Sequence, residues 1–479
     1  MYDSVIAWLA GRLDWIWVEA LAPLGLVIAA IVTVHVLLTK RDVGASIGWI
    51  GLAWLSPVLG GIMYYLLGIN RVKRRAQRFA DRPSNGSRAN LPTIGGRDDH
   101  LAPLELAARR LTGRHVEPGN ALHVYHNGDE AYPPMVAAIA AATTSVALST
   151  YILRDDAAGG RFIEALIAAH RRGVAVRVLV DGFGSGYFLS QAYFRLRRTG
   201  VPAARFMHSP LPWRMPFLNL RTHKKLLLID GKLAFTGGMN IAAENLLATR
   251  PRHPVRDTHF RVEGPVVGQL MEAFARDWSF VTDEDLTSPA WFPPLAPAGE
   301  AIARVITSGP DLDLEKIEFL VLEAVACARR SIQVVTPYFL PDERLITSLS
   351  MAAMRGVAVE IVMPEASNHR LIDWAARANV GPLLSHGGRI WLNPPPFDHS
   401  KILVIDGQWS MIGSANFDLR SFRLNFELSM EVYHSDLAET LQAIVRDRKG
   451  KMLTEADLLA RPAPIRLRDS LVRLLMPYL

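Results

Sequence analysis

The chain has one cysteine in 479 residues, Cys327, so it can form no intrachain disulfide and no cysteine-based metal site. Cys327 stands in an alanine- and valine-rich run that reads as a buried helical segment rather than as a reactive thiol. Histidine, aspartate and glutamate do not recur at a metal-ligand spacing, so no metal or other cofactor is expected. Aromatic residues make up only 8% of the chain and never interleave with basic ones in a run, which argues against a groove for single-stranded nucleic acid. The formal charge of +7 suits an anionic partner, and charge alone does not choose between nucleic acid and an anionic lipid surface.

Charge itself is missing from two long stretches, residues 20–39 and 43–70, separated only by Lys40, Arg41 and Asp42. Each reaches the roughly 20 residues that a bilayer-spanning helix needs, and a helix satisfies its own backbone hydrogen bonds in lipid. The pattern predicts a transmembrane helical hairpin within residues 1–70, with helices over 20–39 and 45–69. Acidic Asp3, Asp14 and Glu19 before the first stretch, and a second span directly after it, argue against a cleaved signal peptide. Six basic residues from Arg71 to Arg82 crowd the exit of the hairpin, which orients the rest of the chain to the cytoplasm, and Trp15, Trp17, Tyr64 and Tyr65 suit the interface.

What is present beyond the hairpin is present twice. SVALSTYIL from Ser145 matches SIQVVTPYFL from Ser331, and RGVAVRVLV from Arg172 matches RGVAVEIVM from Arg355. RTHKKLLLIDGKLAFTGGMN, Arg221 to Asn240, aligns without a gap on FDHSKILVIDGQWSMIGSAN, Phe397 to Asn416. Strand-like and helix-like segments alternate in both copies, so the fold class is α/β: two tandem domains, each with a mixed sheet covered by helices. The expected organisation is a hairpin (1–70), a basic juxtamembrane linker (71–118), a first domain (119–287), a Pro-rich linker (288–300), a second domain (301–445) and a tail (446–479). In that tail Ile465, Leu467, Leu471, Leu474 and Leu475 alternate with Arg466, Arg468 and Arg473 in a basic amphipathic pattern. A duplicated module packs about a pseudo-two-fold axis, which brings equivalent residues together.

Each copy carries His-x-Lys-x4-Asp-Gly: His223, Lys225 and Asp230 in the first, His399, Lys401 and Asp406 in the second. On a strand, His and Lys point to one side, while the Asp has opposite parity and sits at a hairpin turn, where it holds the turn rather than a phosphate. The returning strand brings Asn240 back beside His223 and Asn416 beside His399, and the neighbouring glycines would let a phosphate approach the backbone. Two imidazoles and two ammonium groups around one site suit displacement at a phosphodiester: one neutral His attacks phosphorus and the other, protonated, releases the leaving alcohol. The lysines and asparagines would stabilise the nonbridging oxygens. Asp257 and Glu427, carboxylates that follow the two motifs, are expected to orient the imidazoles. His126, His170 and His434 lack such company and read as structural or surface residues.

These strings resemble the phospholipase D superfamily and, within it, the bacterial cardiolipin synthase branch. The residues that carry the resemblance run from the N-terminal hairpin through His223-Lys224-Lys225 and Gly237-Gly238-x-Asn240 to Gly413-Ser414-Ala415-Asn416-x-Asp418-x-Arg420-Ser421 and Asn425-x-Glu427. The resemblance implies a phosphatidyltransferase of the inner membrane that moves a phosphatidyl group between two phosphatidylglycerols through a phosphohistidine and releases glycerol. It implies a catalytic set of His223, Lys225, Asp230, His399, Lys401 and Asp406, with His223 as nucleophile and His399 as acid, although near symmetry leaves the reverse open. The alternatives are another phospholipase D-type hydrolysis or head-group exchange, and a membrane-bound nuclease. Ala243, the lack of a Trp before Arg256-Asp257, and Asp398 depart from the pattern the resemblance leads one to expect around the motifs.

Overall fold

The computed structural model of the chain describes residues 22–40, 43–68, 100–208, 220–311 and 313–476. They fall into two compact units, one made of the described part of 1–75 and the other of the residues from 100 on.

In the first unit the charge-free stretches form helices Ala22–Thr39, Val43–Leu55 and Pro57–Met63, the last running into a π-helical turn at Tyr64–Gly68. The continuous second helix expected over 45–69 is therefore broken. Ser56, with φ −147° and ψ 80°, leaves the helical region because the Pro57 ring crowds the backbone of the residue before it. Ala29, Val32, Val36, Ala53 and Tyr64 form a small buried seam, and Trp54 Nε1 donates to Thr33 Oγ1 at 3.0 Å. Leu26, Ile31, Leu37, Leu38, Ile47 and Leu55 are exposed. No helix among the described residues is long and apolar enough to cross a membrane. Trp15, Trp17 and the basic cluster from Arg71 to Arg82 lie outside the described residues.

The second unit is built on one sheet. Its first half contributes β1 (Glu117–His126), β2 (Ser145–Thr150), β3 (Ala175–Asp181), β4 (Ala203–Phe206), β5 (Leu226–Ile229), β6 (Leu233–Gly237) and β7 (Thr258–Glu263). The second half contributes β8 (Ala301–Ser308), β9 (Ser331–Val335), β10 (Ala358–Pro364), β11 (Arg389–Asn393), β12 (Ile402–Ile405), β13 (Trp409–Gly413), β14 (Asn425–Tyr433) and β15 (Lys451–Leu453). The spatial order is β15-β11-β10-β9-β12-β13-β14-β8-β1-β7-β6-β5-β2-β3-β4. Outward from the β8 and β1 junction the two halves read identically apart from β15, which has no counterpart beyond β4, so the repeat in sequence is a repeat in topology.

β2, β3 and β4 are mutually parallel, as are β9, β10 and β11. Helices cover both faces there, which is why β2 is buried along its whole length and reads as an apolar run rather than an alternation. β1 and β8 pair antiparallel through Asn120 and Ala301, so the two mixed sheets fuse edge to edge and neither leaves an open strand at the junction.

Two expected boundaries differ. The stretch assigned to the juxtamembrane linker contains a helix, Ala102–Thr112, and Leu101, Leu104 and Ala108 insert into the core of the second half beside Ile306 and Ile317. Their three- and four-residue spacing is a helical stripe that the surrounding Gly and Pro residues had masked. The tail, in turn, is more than an amphipathic segment: β15 extends the sheet by pairing antiparallel with β11 before the final helix, Ala463–Arg473.

Candidate active site

Each His-x-Lys set lies where a short segment leaves its own half and pairs with the other. Arg221 and Thr222 run parallel to the start of β14, opposite Asn425 and Phe426, and Phe397 and Asp398 run parallel to Val255 and Arg256. The pairing fixes both histidines by their backbones: His223 N donates to Phe426 O at 2.8 Å and His399 N to Arg256 O at 2.7 Å. The next residue on each partner segment is a carboxylate, Glu427 in one case and Asp257 in the other.

The side chains follow the same crossed plan. His223 Nδ1 lies 3.0 Å from Glu427 Oε1 and 3.0 Å from the Ser414 carbonyl, while His399 Nδ1 lies 3.0 Å from Asp257 Oδ2. The Ser414 carbonyl is an acceptor and each carboxylate is one when ionised, and in that state each Nδ1 carries the hydrogen and each Nε2 keeps its lone pair. The two buried rings stand 6.2 Å apart between centroids at 78°. Tyr151 meets His223 edge-on at 5.2 Å and Tyr338 meets His399 at 6.3 Å, a second symmetric pair.

Lys225 Nζ donates to the His223 carbonyl at 2.6 Å, and Lys401 Nζ donates to the His399 carbonyl. Lys401 Nζ is also 2.8 Å from His399 Nδ1, but that nitrogen already directs its hydrogen at Asp257, so the carbonyl is the acceptor. Burial, reinforced by the two ammonium groups, holds both imidazoles well below their ordinary pKa, and both are neutral at pH 7. Burial likewise lowers Lys225 well below its usual range and Lys401 to about 8, and raises Glu427 to about 7 and Asp257 to about 8.

Asp230 and Asp406 lie apart from the histidine side chains. Asp230 accepts from the backbone N–H groups of Thr143, Thr144 and Ser145 and anchors the start of β2. Asp406 does the same for Arg329, Arg330 and Ser331 ahead of β9 and also meets His100 Nε2 at 2.7 Å. Both take positive φ at their turns, 52° and 54°. Each carboxylate joins a hairpin turn to the neighbouring strand, the role its opposite parity to the histidine led one to expect.

Asn240 Oδ1 accepts from Ile152 N at 3.3 Å, and Asn416 Oδ1 is buried without a hydrogen-bond partner among the described residues. Gly238 sits in a close approach. A Cβ on Gly238 would meet Asp257 Oδ1 at 2.5 Å and the His399 carbonyl at 2.9 Å, so glycine makes room for the carboxylate of its own half and for the histidine backbone of the other. Three features were not read as site residues: the Ser414 carbonyl, the Tyr151 and Tyr338 pair, and Lys224, whose Nζ is locked on Asp277 at 2.7 Å. Only the tyrosines left a signal, since both repeated strings contain one.

A duplicated mixed-sheet fold whose two His-x-Lys sets meet in one buried site is the architecture of the phospholipase D superfamily. The chain belongs to its family of cardiolipin synthase, phospholipase D-like domains, whose model matches residues 135–278 and 321–448. A phospholipase D-nuclease N-terminal model matches residues 27–68. Similar proteins include a cardiolipin synthase of Geobacillus kaustophilus, 33% identical over 461 residues (92% of this chain, 90% of the relative). The major cardiolipin synthase of Bacillus subtilis is 31% identical over 457 residues (92% and 95%). Among solved structures, phosphatidylserine synthase of Haemophilus influenzae shares the fold at a TM-score of 0.61 and 14% identity, covering 78% of this chain and 100% of that one.

Proposed function

We propose that the chain is a cardiolipin synthase that transfers a phosphatidyl group from one phosphatidylglycerol to another. The observation that carries this reading is the pair of Nδ1-anchored imidazoles 6.2 Å apart. Nε2 of His223 attacks phosphorus, the bond from phosphorus to the glycerol oxygen breaks, and that oxygen takes the Nε2 proton of His399. The acceptor hydroxyl then returns a proton to His399 as its oxygen bonds phosphorus and the phosphorus–nitrogen bond breaks. An anionic phosphodiester between the rings supplies the negative charge that lets His399 hold its proton, and Glu427 and Asp257 keep each ring aimed. Lys225, Lys401, Asn240 and Asn416 face charge developing on the nonbridging oxygens.

The hairpin holds this site at its lipid substrate in the bacterial inner membrane, with the catalytic halves in the cytoplasm. The outward apolar side chains of helices Ala22–Thr39 and Val43–Leu55 support the attachment to lipid, and the basic residues from Arg71 to Arg82 support the cytoplasmic side. Incubation of the purified protein in phosphatidylglycerol vesicles tests the function: equimolar cardiolipin and glycerol are expected, and absence of both under several lipid compositions would overturn it. Alkaline extraction of membranes tests the anchor, which should retain the full chain and release one lacking residues 1–70.

A further inference from the structure

Helix Ala463–Arg473 packs on the second half by one side and turns a second apolar side to solvent. Asp469 and Val472 of the helix, and Met476 in the turn after it, are buried, and Val472 and Met476 join the core that holds Ile372 and Ala375. On the far side Leu467, Leu471 and Leu474, four and three residues apart, are 72%, 65% and 70% exposed. A helix that only packs against its own domain carries polar residues there.

The charge on this outer surface has one sign. Arg466 and Arg473 are exposed and ion-pair with no carboxylate among the described residues. The helix has a single acidic residue, Asp469, and it is turned inward, where Arg461 and Arg468 donate to it.

The same helix reaches toward the histidines. The Arg468 guanidinium stands 3.8 Å over the Trp374 ring, and Arg461 donates to Arg377 O at 3.5 Å, so it runs antiparallel to helix Arg370–Asn379. Leu471 and Leu474 therefore lie toward Arg370 and Leu371, which are both exposed. Just ahead of these, Asn368 accepts from the Tyr338 hydroxyl at 2.6 Å, and the His369 ring lies 5.9 Å from the Tyr338 ring, itself 6.3 Å from His399.

The first half has no such helix, but its matching loop is apolar. After β3, Phe183, Phe188 and Leu189 are exposed, Leu189 by 81%. Ser185 Oγ in this loop donates to Tyr151 O at 3.0 Å, and the guanidinium of Arg221, two residues before His223, stands 4.1 Å over the Phe183 ring. The loops after β3 and β10 leave the C-terminal ends of equivalent parallel strands, so exposed apolar side chains border the histidine pair from both halves.

We propose that this edge of the catalytic halves is a docking surface for an anionic bilayer. Leu467, Leu471 and Leu474 enter the boundary between headgroups and acyl chains on one side, and Phe188 and Leu189 on the other, while Arg466 and Arg473 meet lipid phosphates. The hairpin is then not the sole contact with lipid, because the site itself is held against the surface. A phospholipid headgroup reaches the histidines with its acyl chains still in the bilayer, which avoids the cost of moving them into water.

Two measurements on the full chain test this, and only the second rests on the cardiolipin synthase reading. A nitroxide on Leu471→Cys, in a Cys327→Ser background and in vesicles of phosphatidylglycerol and phosphatidylcholine, should lie about 5–10 Å below the phosphates by its oxygen and nickel-chelate accessibility. A water-exposed label would overturn the proposal, and so would a label shielded by a second copy of the chain, visible as broadening between nitroxides. Leu471→Ser with Leu474→Ser, and separately Phe188→Ser with Leu189→Ser, should lower cardiolipin formation from long-chain phosphatidylglycerol vesicles at least about tenfold, and from monomeric short-chain phosphatidylglycerol less than about threefold. Equal losses on both substrates, or unaltered rates on vesicles, would contradict the docking surface. If the unaltered protein made cardiolipin from neither substrate, the synthase reading would fail and the label depth would still decide the docking.

Discussion

His223 Nδ1 lies 3.0 Å from Glu427 Oε1, a residue of the other half of the molecule, and His399 Nδ1 lies 3.0 Å from Asp257 Oδ2 in the reverse sense. Neither half holds its own histidine. Each imidazole is aimed by a carboxylate that follows directly on the backbone segment to which its own N–H is bonded, so the docking of the halves and the aiming of the rings are one event.

Crossed pairing makes a crossed genetic prediction. Glu427→Gln should reproduce a weakened His223 and Asp257→Asn a weakened His399, each lowering transfer on the order of 10²-fold. His223→Ala combined with Glu427→Gln should be no slower than His223→Ala alone, because the carboxylate acts through that ring. Additive losses in steady-state rates would contradict the geometry.

The two histidines should separate by a covalent intermediate. His399→Ala is expected to accumulate acid-labile phosphatidyl-enzyme on labelled phosphatidylglycerol, and His223→Ala none, with turnover reduced by about 10³-fold or more in both. Label mapped to His399 in the His223→Ala protein would reverse the two roles.

The pH profile follows from the buried charges. Glu427 near 7 and Asp257 near 8 must ionise to hold an imidazolium, so kcat/KM should rise through that range, and it should fall again as Lys401, near 8, loses its proton. The expected bell is narrow. Lys401→Arg should extend its alkaline side, which initial rates across about pH 5.5 to 10 would read.

Asp230→Asn and Asp406→Asn should damage stability rather than chemistry. Backbone N–H donors hold both carboxyls below their ordinary 3.8, so their contribution is fully present above about pH 4 and is lost as the pH falls through the lower folded value. Each Asn variant should lose about 1–3 kcal/mol at pH 7, less for the more exposed Asp230, and the deficit should shrink in acid. Thermal melts from pH 3 to 7, roughly spanning that titration, with the rate per folded molecule kept within a few-fold, are the check.

Much of this was legible in the residues. The gapless match of the two motif strings foretold the pseudo-symmetric halves, and the opposite parity of Asp230 to His223 foretold that its carboxylate serves a turn. The break at Ser56 was less visible, because a charge-free stretch looks continuous until the proline within it is weighed. The helix at Ala102–Thr112 was hidden for a different reason: its apolar stripe is completed by the core of the second half, some two hundred positions away along the chain.

Sequence alone determined the duplication, the two His-x-Lys sets and the apolar hairpin, because repeat, residue chemistry and hydropathy are carried by neighbours along the chain. Tertiary structure decided which carboxylate serves which histidine and which nitrogen keeps its lone pair. Those facts depend on short segments of each half pairing with the other, and no local spacing encodes a hydrogen bond between residues 204 positions apart.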